Sequence, residues 1–242
     1  IADDKNELNI KKKNLLIFKN DFINKNFDNL IIKNMWILME ENKISIKIVE
    51  DLFDGIESDL NEVVKFNKKK ELLIYSYRVA GTVGLMMAKI LGVQNKNSMK
   101  SAIDLGIAMQ LTNISRDVIE DMNNNRFYIN HDFETIKNTL SMADLFYESS
   151  FASIKEIPFR FRFAILVARR IYRKIGAKIL HKENIYNYNR SGKIYVSNLG
   201  KLYQTFLSIL DLIKLIFINE KNHLRNKEHL LINEEIDLNE RI

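Results

Sequence analysis

The chain has 242 residues, 46% of them hydrophobic, which is enough for a sizeable core. It has no cysteine, which excludes disulfides and thiolate metal sites and is compatible with a reducing, cytoplasmic location. The formal net charge of +6 suits phosphorylated ligands or anionic lipid headgroups, although lysine also solvates ordinary surfaces. The basic runs lack interleaved aromatic residues, so no nucleic-acid partner is expected.

Helix breakers are scarce, with one proline, Pro158, and eight glycines. This scarcity predicts long helices, and no alternating stretch is long enough to predict a sheet. The apolar periodicity predicts helices at about 8–24, 28–41, 44–66, 69–91, 98–122, 139–156, 159–182 and 194–221. Ser98 is the expected cap of the fifth. Loops are expected at 123–133 and 183–193, and the charged tail from about 222 is expected to be peripheral.

No change of composition and no internal repeat marks a domain boundary, so residues 1–242 are predicted to form one all-α domain. The last predicted helix contains "LSILDLIKLIFI", which is apolar on more than one face and is interrupted only by Asp211 and Lys214. Burial in the core is the favoured interpretation. Peripheral contact with a membrane surface is the alternative.

The stretch "QLTNISRDVIED", residues 110–121, places four polar side chains on one helix face: Gln110, Asn113, Asp117 and Asp121. Two carboxylates one turn apart repel each other unless a cation compensates them. Oxygen ligands of this kind suit Mg²⁺ or Mn²⁺. The alternative is a solvated acidic face on which Arg116 pairs with Glu120, because two aspartates at this spacing occur often by chance.

The stretch "YSYRVAGTVGLMMAKILG", residues 75–92, contains four small residues at helical spacing: Ala80, Gly81, Gly84 and Ala88. Such a strip allows another helix, or a long ligand, to approach the backbone closely. Apolar side chains between Val79 and Met87 would line the space beside it. A metal-bound phosphate site next to an apolar slot indicates an enzyme that acts on prenyl diphosphates.

These stretches, together with "LFDGIESDL" (52–60), "ARRIYRKIGAKI" (168–179) and "NRSGKIYVSNLGKL" (189–202), resemble the phytoene/squalene synthase family. The resemblance implies an all-α isoprenoid-synthase bundle around a central cavity with two facing aspartate motifs. It implies metal ligation by Asp3, Asn113, Asp117 and Asp121. Diphosphate or substrate contacts are implied for Gln110, Arg116, Tyr172 and Arg190. The expected apolar contacts with the substrate are Val79, Val83 and Met86. The catalytic groups that the resemblance implies are Asp3, Asp117, Asp121 and Tyr75.

Two features depart from the family pattern. The chain opens with "IADD", in which Asp3 corresponds to the last aspartate of the first motif. The leading aspartates and their helix would precede Ile1, and truncation is favoured over genuine loss. The family's "GRxYLP" is replaced by "NRFYIN" at 125–130, and the segment after it is shortened.

The activity implied by the resemblance is Mg²⁺- or Mn²⁺-dependent head-to-head (1′-1) condensation of two prenyl diphosphates. The favoured version joins two geranylgeranyl diphosphates to phytoene through a cyclopropyl diphosphate, without NADPH. The alternatives are a C15-using squalene or dehydrosqualene-type synthase and a non-catalytic assembly or scaffold relative. Peripheral membrane contact is left open, and the sequence predicts no oligomeric state.

Overall fold

The computed structural model describes residues 8–218, 223 and 226–242. The helices are α1 Leu8–Ile23, α2 Leu30–Glu41, α3 Ile46–Ser58, α4 Lys69–Ser76, α5 Thr82–Ile90, α6 Lys96–Asn123, α7 Phe133–Phe151, α8 Phe159–Leu180, α9 Ile185–Arg190, α10 Asn198–Phe217 and α11 Lys227–Asn233. A π-helical turn, Tyr77–Gly81, joins α4 to α5, and 3-10 turns cover Ala152–Glu156 and Leu238–Glu240. The short strands β1 Val64–Lys65 and β2 Arg126–Phe127 pair in parallel. The predicted all-α class is confirmed.

Several helix ends differ from the sequence-based prediction because local capping decided them. The helix α6 begins at Lys96, since the Asn95 side chain accepts the backbone N–H groups of Asn97 and Ser98 at 2.8 and 3.3 Å. The predicted Ser98 cap is therefore wrong. Asp132 accepts the backbone N–H of Thr135 at 2.7 Å and starts α7 at Phe133.

Two other predictions were wrong because contacts with distant parts of the chain decided the structure. The predicted helix 44–66 ends at Ser58, and its last residues instead form β1, which pairs with β2. The predicted loop 183–193 contains the short helix α9, capped by Asn184. Tyr188 of α9 is buried, and its hydroxyl donates to the backbone oxygens of Ser115 and Arg116 at 3.0 and 2.9 Å. These contacts attach α9 to α6.

The C-terminal tail packs into the protein, which overturns the expectation that it is peripheral. Ile232, Ile236 and Leu238 belong to the main hydrophobic cluster. Arg241 pairs in bidentate fashion with Asp51 of α3 at 3.0 and 3.2 Å. The tail is charged, but its charges have partners on the helical body, so charge alone did not predict exposure.

A buried polar cluster centred on Asp104 of α6 also holds the tail. Its carboxylate contacts His223 Nε2 at 2.6 Å and His229 Nε2 at 2.9 Å, and it accepts a short hydrogen bond from Ser149. His229 Nδ1 accepts the backbone N–H of Asn226 at 3.0 Å, so neutral His229 carries its proton on Nε2. A metal ion at Nε2 would displace that proton and leave an imidazolate. We therefore interpret this group as a hydrogen-bonded anchor.

The helix α10 has its polar side inward, which overturns the favoured burial of its apolar side. Gln204, Ser208 and Asp211 are buried, and Asp211 pairs with Arg170 of α8 at 2.5 and 2.7 Å. The outward side carries large exposed side chains, among them Leu199, Leu202, Tyr203, Phe206, Leu210, Ile216 and Phe217. Across the described ranges, no helix combines the length and hydropathy needed to cross a bilayer.

The small-residue strip brings α5 and its preceding π turn against α6, and the two helices run antiparallel. Gly84 faces the backbone of Ala102, and Gly106 faces the backbone of Ala80. A Cβ at Gly106 would overlap the carbonyl oxygen of Ala80 and lie 2.7 Å from its carbonyl carbon. The glycines therefore permit backbone-to-backbone contact at these levels.

Gly106→Ala is expected to lower the free energy of unfolding by about 1 to 3 kcal/mol, because rigid backbone must move to admit the methyl group. The matched control is Gly176→Ala within α8, where the new Cβ meets only the Leu140 side chain, at 3.2 Å. That variant is expected to be neutral or slightly stabilising through helix propensity. Urea unfolding checks both, and equal effects would contradict the close packing.

Candidate active site

An apolar slot of about 390 Å³ lies between α5, α6, α8 and the 3-10 turn that follows α7. Its α6 wall runs from Ser98 to Asn113 along one helix face. Gln110, Asn113 and Tyr172 give one end of the slot polar groups, whereas the wall between the ends is mainly apolar. The slot therefore has the form required by a ligand with a polar head and a long apolar tail.

Two of the three residues predicted as apolar contacts lie at the slot. Val79 and Val83 line the slot, together with Met87 one turn further on. Met86 does not line the slot and packs against the hydrophobic core. Met86 and Met87 are consecutive on α5 and project about 100° apart, and Met87 is the one that lines the slot.

The polar stripe on α6 continues beyond the slot at one-turn intervals. Asn113 Oδ1 is buried and has no hydrogen-bond partner among the described residues. Arg116 forms a bidentate pair with Asp117, from Nε at 2.8 Å and from a terminal nitrogen at 2.5 Å. Glu120 pairs with Lys193 at 2.7 Å and is 59% exposed, whereas Asp117 is 17% exposed. Glu120 thus fits the alternative of a solvated acidic face. Asp117, which is mostly buried and pairs with Arg116, does not fit it.

Asp121 has a perturbed ionisation. Burial raises the pKa of Asp121 to about 7, the negative charge of Asp117 adds to the effect, and Arg126 opposes it. Since the unfolded value is about 3.9, the folded protein binds more protons between about pH 4 and pH 7. The free energy of unfolding therefore falls as pH rises through this range.

We expect Asp121→Asn to be more stable than the parent protein above pH 7, by on the order of 1 to 2 kcal/mol after allowance for solvent screening. The difference should shrink toward pH 4. Urea unfolding in EDTA at pH 5 and pH 8 measures it, with exposed Asp28→Asn as the control. A pH-independent difference would contradict the raised pKa.

Tyr75 lies in a separate buried cluster, close to the aspartates but outside the slot. Its hydroxyl donates to Asp59 Oδ2 at 2.8 Å, and Tyr128 donates to Asp59 Oδ1 at 2.6 Å. The two rings stack with centroids 4.8 Å apart. Burial, followed by the charge of Asp59, raises the pKa of Tyr75 well above its usual range, so the hydroxyl stays protonated. Its catalytic role remains a prediction.

The remaining predicted residues lie in different places. Arg190 is exposed at the end of α9 and contacts the Tyr186 hydroxyl at 3.0 Å, outside the slot lining. Asp3 lies outside the described residues. Lys193, 3.5 Å from Asp117, was not predicted as a site residue, and neither was Asp59. Asp59 belongs to the quoted "LFDGIESDL" stretch, but only the fold brings it to Tyr75 and Tyr128.

The stripe on α6 fits a hard divalent cation. Asn113, Asp117 and Asp121 offer only oxygen donors, one helical turn apart. A buried amide oxygen without a partner costs about 1 to 3 kcal/mol, and a ligand or cation would relieve that cost. The unpartnered Asn113 Oδ1 thus supports ligand binding at this end of the slot.

A larger cavity of about 560 Å³ opens between α7, α8 and α10. Its charged groups pair mainly with each other: Arg173 contacts Asp144 and Glu148 at 3.0 and 2.7 Å, and Arg170 contacts Asp211. Such internal pairing leaves little charge for a ligand. The smaller slot, whose polar end at Asn113 lies one helical turn before Asp117, is the better candidate site.

Comparison with known proteins agrees with this geometry. The family model for squalene/phytoene synthase matches residues 3–133. The chain is 37% identical over 147 residues to a 15-cis-phytoene synthase from Paracoccus sp., covering 53% of this chain and 48% of that protein. It is 35% identical over 150 residues to the enzyme of the same name from Pantoea ananas, with the same coverage. The chain belongs to the squalene/phytoene synthase family.

The fold has a solved counterpart. A dehydrosqualene synthase crystallised with a ligand superposes with a TM-score of 0.66 at 24% identity, over 86% of this chain and 78% of that one. The matched region spans about half the length of the curated bacterial relatives. The predicted isoprenoid-synthase fold and the family resemblance are confirmed.

Proposed function

We propose that the protein catalyses head-to-head (1′-1) condensation of two prenyl diphosphates, with geranylgeranyl diphosphate as donor and phytoene as product. The observation that carries this proposal is the apolar slot whose polar end, at Gln110 and Asn113, lies one helical turn before Asp117 on α6. A prenyl tail fits the slot, and its diphosphate would then lie at the polar end. The names of the bacterial relatives favour the C20 donor.

The roles of the residues follow from their chemistry. Asn113, Asp117 and Asp121, with Asp3 of the first motif, would hold Mg²⁺ or Mn²⁺, which neutralises charge on a diphosphate leaving group. Arg116 would turn from Asp117 to the diphosphate once a cation satisfies that carboxylate. Gln110 and Tyr172 would orient the substrate head, and Arg190 is retained as a diphosphate contact that requires a movement of α9. Val79, Val83 and Met87 would contact the apolar tail of the donor.

In the proposed reaction diphosphate leaves one donor, the second donor's double bond attacks the allylic cation, and loss of a proton closes the ring of a cyclopropyl diphosphate. Loss of its diphosphate, rearrangement of the resulting cation and loss of a second proton yield phytoene without a reductant. A C15-using synthase is the second candidate, favoured by the structural similarity to a dehydrosqualene synthase. The two candidate functions differ in the length of the prenyl tail that the slot must hold.

The test uses protein expressed from the complete coding sequence, with Mg²⁺ and either geranylgeranyl or farnesyl diphosphate, with and without NADPH. A C40 hydrocarbon from the C20 donor alone is expected by mass spectrometry. A C30 product from the C15 donor would support the second candidate. No product from either donor, in folded protein, would overturn the enzyme proposal in favour of a scaffold role.

We also propose peripheral membrane contact through the outward side of α10. Apolar products dissolve in bilayers, and this helix exposes Leu202, Phe206 and Phe217 by 65% or more. Leu202→Ser with Phe206→Ser is expected to reduce co-sedimentation with anionic vesicles at least about threefold. Leu145→Ser on α7, 47% exposed in the parent protein, is the control. Equal binding of all variants would contradict the proposal.

A further inference from the structure

Arg169 is the exception to the internal charge pairing of the larger cavity, which lies between α7, α8 and α10. It lines this cavity and is only 4% exposed. Its Nε and one terminal nitrogen donate to the backbone oxygen of Tyr147 at 3.2 and 2.9 Å. The Glu148 carboxylate lies 3.7 Å away, beyond hydrogen-bond distance, and it already accepts a hydrogen bond from Arg173 at 2.7 Å. The other terminal nitrogen of Arg169 makes no hydrogen bond within the described residues, so it stays available to a ligand.

The positive charge of this guanidinium is poorly compensated. Burial lowers the pKa of Arg169 to about 10, and the positive charge of Arg173 adds to the effect. The guanidinium is still protonated at neutral pH, so the cavity holds a buried cation without a carboxylate at hydrogen-bond distance. One anionic group placed beside Arg169 would supply the missing partner, and phosphate oxygens match the geometry of a guanidinium.

A second polar group in the cavity also lacks a partner. Gln204 of α10 is 7% exposed, and its side-chain amide makes no hydrogen bond in the part of the chain that the structure describes. Asp211, which pairs with Arg170 at the level of Arg169, lies two helical turns after Gln204, or about 10 Å along α10. A single phosphate ion cannot contact both Arg169 and Gln204 across this distance, whereas a phosphate that carries a hydroxylated arm can.

The rim of the cavity adjoins the outward apolar side of α10. Tyr203 is exposed, lines the cavity and belongs to that side of the helix. Lys174 and Lys214 also line the cavity, are exposed and form no ion pair with any described residue. Apolar surface bordered by free lysines suits an anionic bilayer. The cavity therefore lies where the headgroup of a membrane lipid would reach it.

We propose that this cavity binds a phosphodiester, supplied by the headgroup of a membrane phospholipid, with the phosphate at Arg169 and a headgroup hydroxyl at the Gln204 amide. A phosphodiester carries one negative charge, which matches the one buried guanidinium that the internal pairs leave over. A glycerol headgroup adds hydroxyls that can donate to and accept from an amide. The acyl chains would lie against the outward side of α10. This inference rests on the proposed membrane contact through α10 and is independent of the proposed condensation.

The experiment compares co-sedimentation with vesicles of phosphatidylcholine alone and of phosphatidylcholine mixed with phosphatidylglycerol. The choline headgroup has no hydroxyl, and the lysines at the rim repel its cation. Arg169→Gln and Gln204→Leu are each expected to lower the preference for phosphatidylglycerol by at least about fivefold, because each removes a contact with that headgroup. Calorimetric titration with soluble glycerophosphoglycerol measures the same site without a bilayer.

The matched control is Lys178→Gln, which removes a positive charge from the same helix. Lys178 also donates to a backbone oxygen, that of Tyr195 at 3.2 Å, but it lies outside the cavity lining. Its loss should change the preference less than about twofold, which separates the site from general attraction to anionic vesicles. Thermal melts identify any variant that does not fold. Gln204→Leu removes no hydrogen bond within the described protein, so it carries the test if Arg169→Gln unfolds.

The outcomes separate this site from the membrane contact on which it rests. Folded cavity variants that keep the parent preference, or a parent protein that binds both vesicle types equally, would overturn the site. A parent protein that binds no vesicles would refute the membrane contact and the lipid as ligand. If glycerophosphoglycerol still bound to that parent protein and not to the cavity variants, the phosphodiester site would stand with a soluble ligand as its source.

Discussion

We expect Asp117→Asn to lower kcat/KM for the proposed condensation by at least about 100-fold, because the carboxylate would hold the cation that neutralises the diphosphate leaving group. Asparagine keeps the size of the side chain and removes its charge, so the change tests charge and not packing. In the parent protein Asp117 is mostly buried, beside Arg116 and one turn beyond the unpartnered oxygen of Asn113. Initial rates with each donor, over a range of Mg²⁺ concentrations, measure the effect.

The matched control is Glu120→Gln, on the same helix and with the same change of charge. Glu120 is 59% exposed and pairs with Lys193, so its loss should change the rate less than about threefold. Asp117→Asn should also raise the Mg²⁺ concentration needed for half-maximal rate, which Glu120→Gln should not. Similar small effects for both variants would favour the solvated acidic face over a metal-binding motif.

The second large effect is expected for stability. Asp104→Ala should lower the free energy of unfolding by about 3 to 5 kcal/mol, as does removal of one partner from a buried polar or ionic cluster. Burial by itself would raise the pKa of Asp104, but the hydrogen bonds from His223 and His229 outweigh it and hold the pKa below its usual range. The carboxylate therefore stabilises the fold above its unfolded pKa, and this contribution is lost as pH falls through the lower folded pKa.

Urea unfolding at pH 7.5, followed by the fluorescence of Trp36, the only tryptophan, measures this loss. His181→Ala is the control, because His181 is exposed and lies outside the cluster. His229→Ala should show a substantial part of the Asp104 effect. A loss below about 1 kcal/mol for Asp104→Ala, within the range of ordinary surface changes, would contradict its anchoring role.

Properties that depend on local chemistry were predictable from the sequence. Few glycines and one proline predicted the helical class, and the spacing from Gln110 to Asp121 placed the polar stripe on one face of α6, since helix periodicity needs no tertiary information. The family stretches carried the fold assignment, which the comparisons confirm. The roles of the individual site residues remain proposals.

Tertiary contacts decided the rest. The sequence could not show that α10 turns Asp211 inward to Arg170 and its apolar side outward, because the partner lies 41 residues away on α8. Nor could it show that Asp104 holds His223 and His229, or that Ser153 meets Ser101 at the end of the slot. The sequence alone determined the helical class and which face of α6 is polar, since both depend on composition and on neighbours within a few residues. Only the tertiary structure decided what those faces meet, because side-chain partners distant in the chain are chosen by the packing of whole helices.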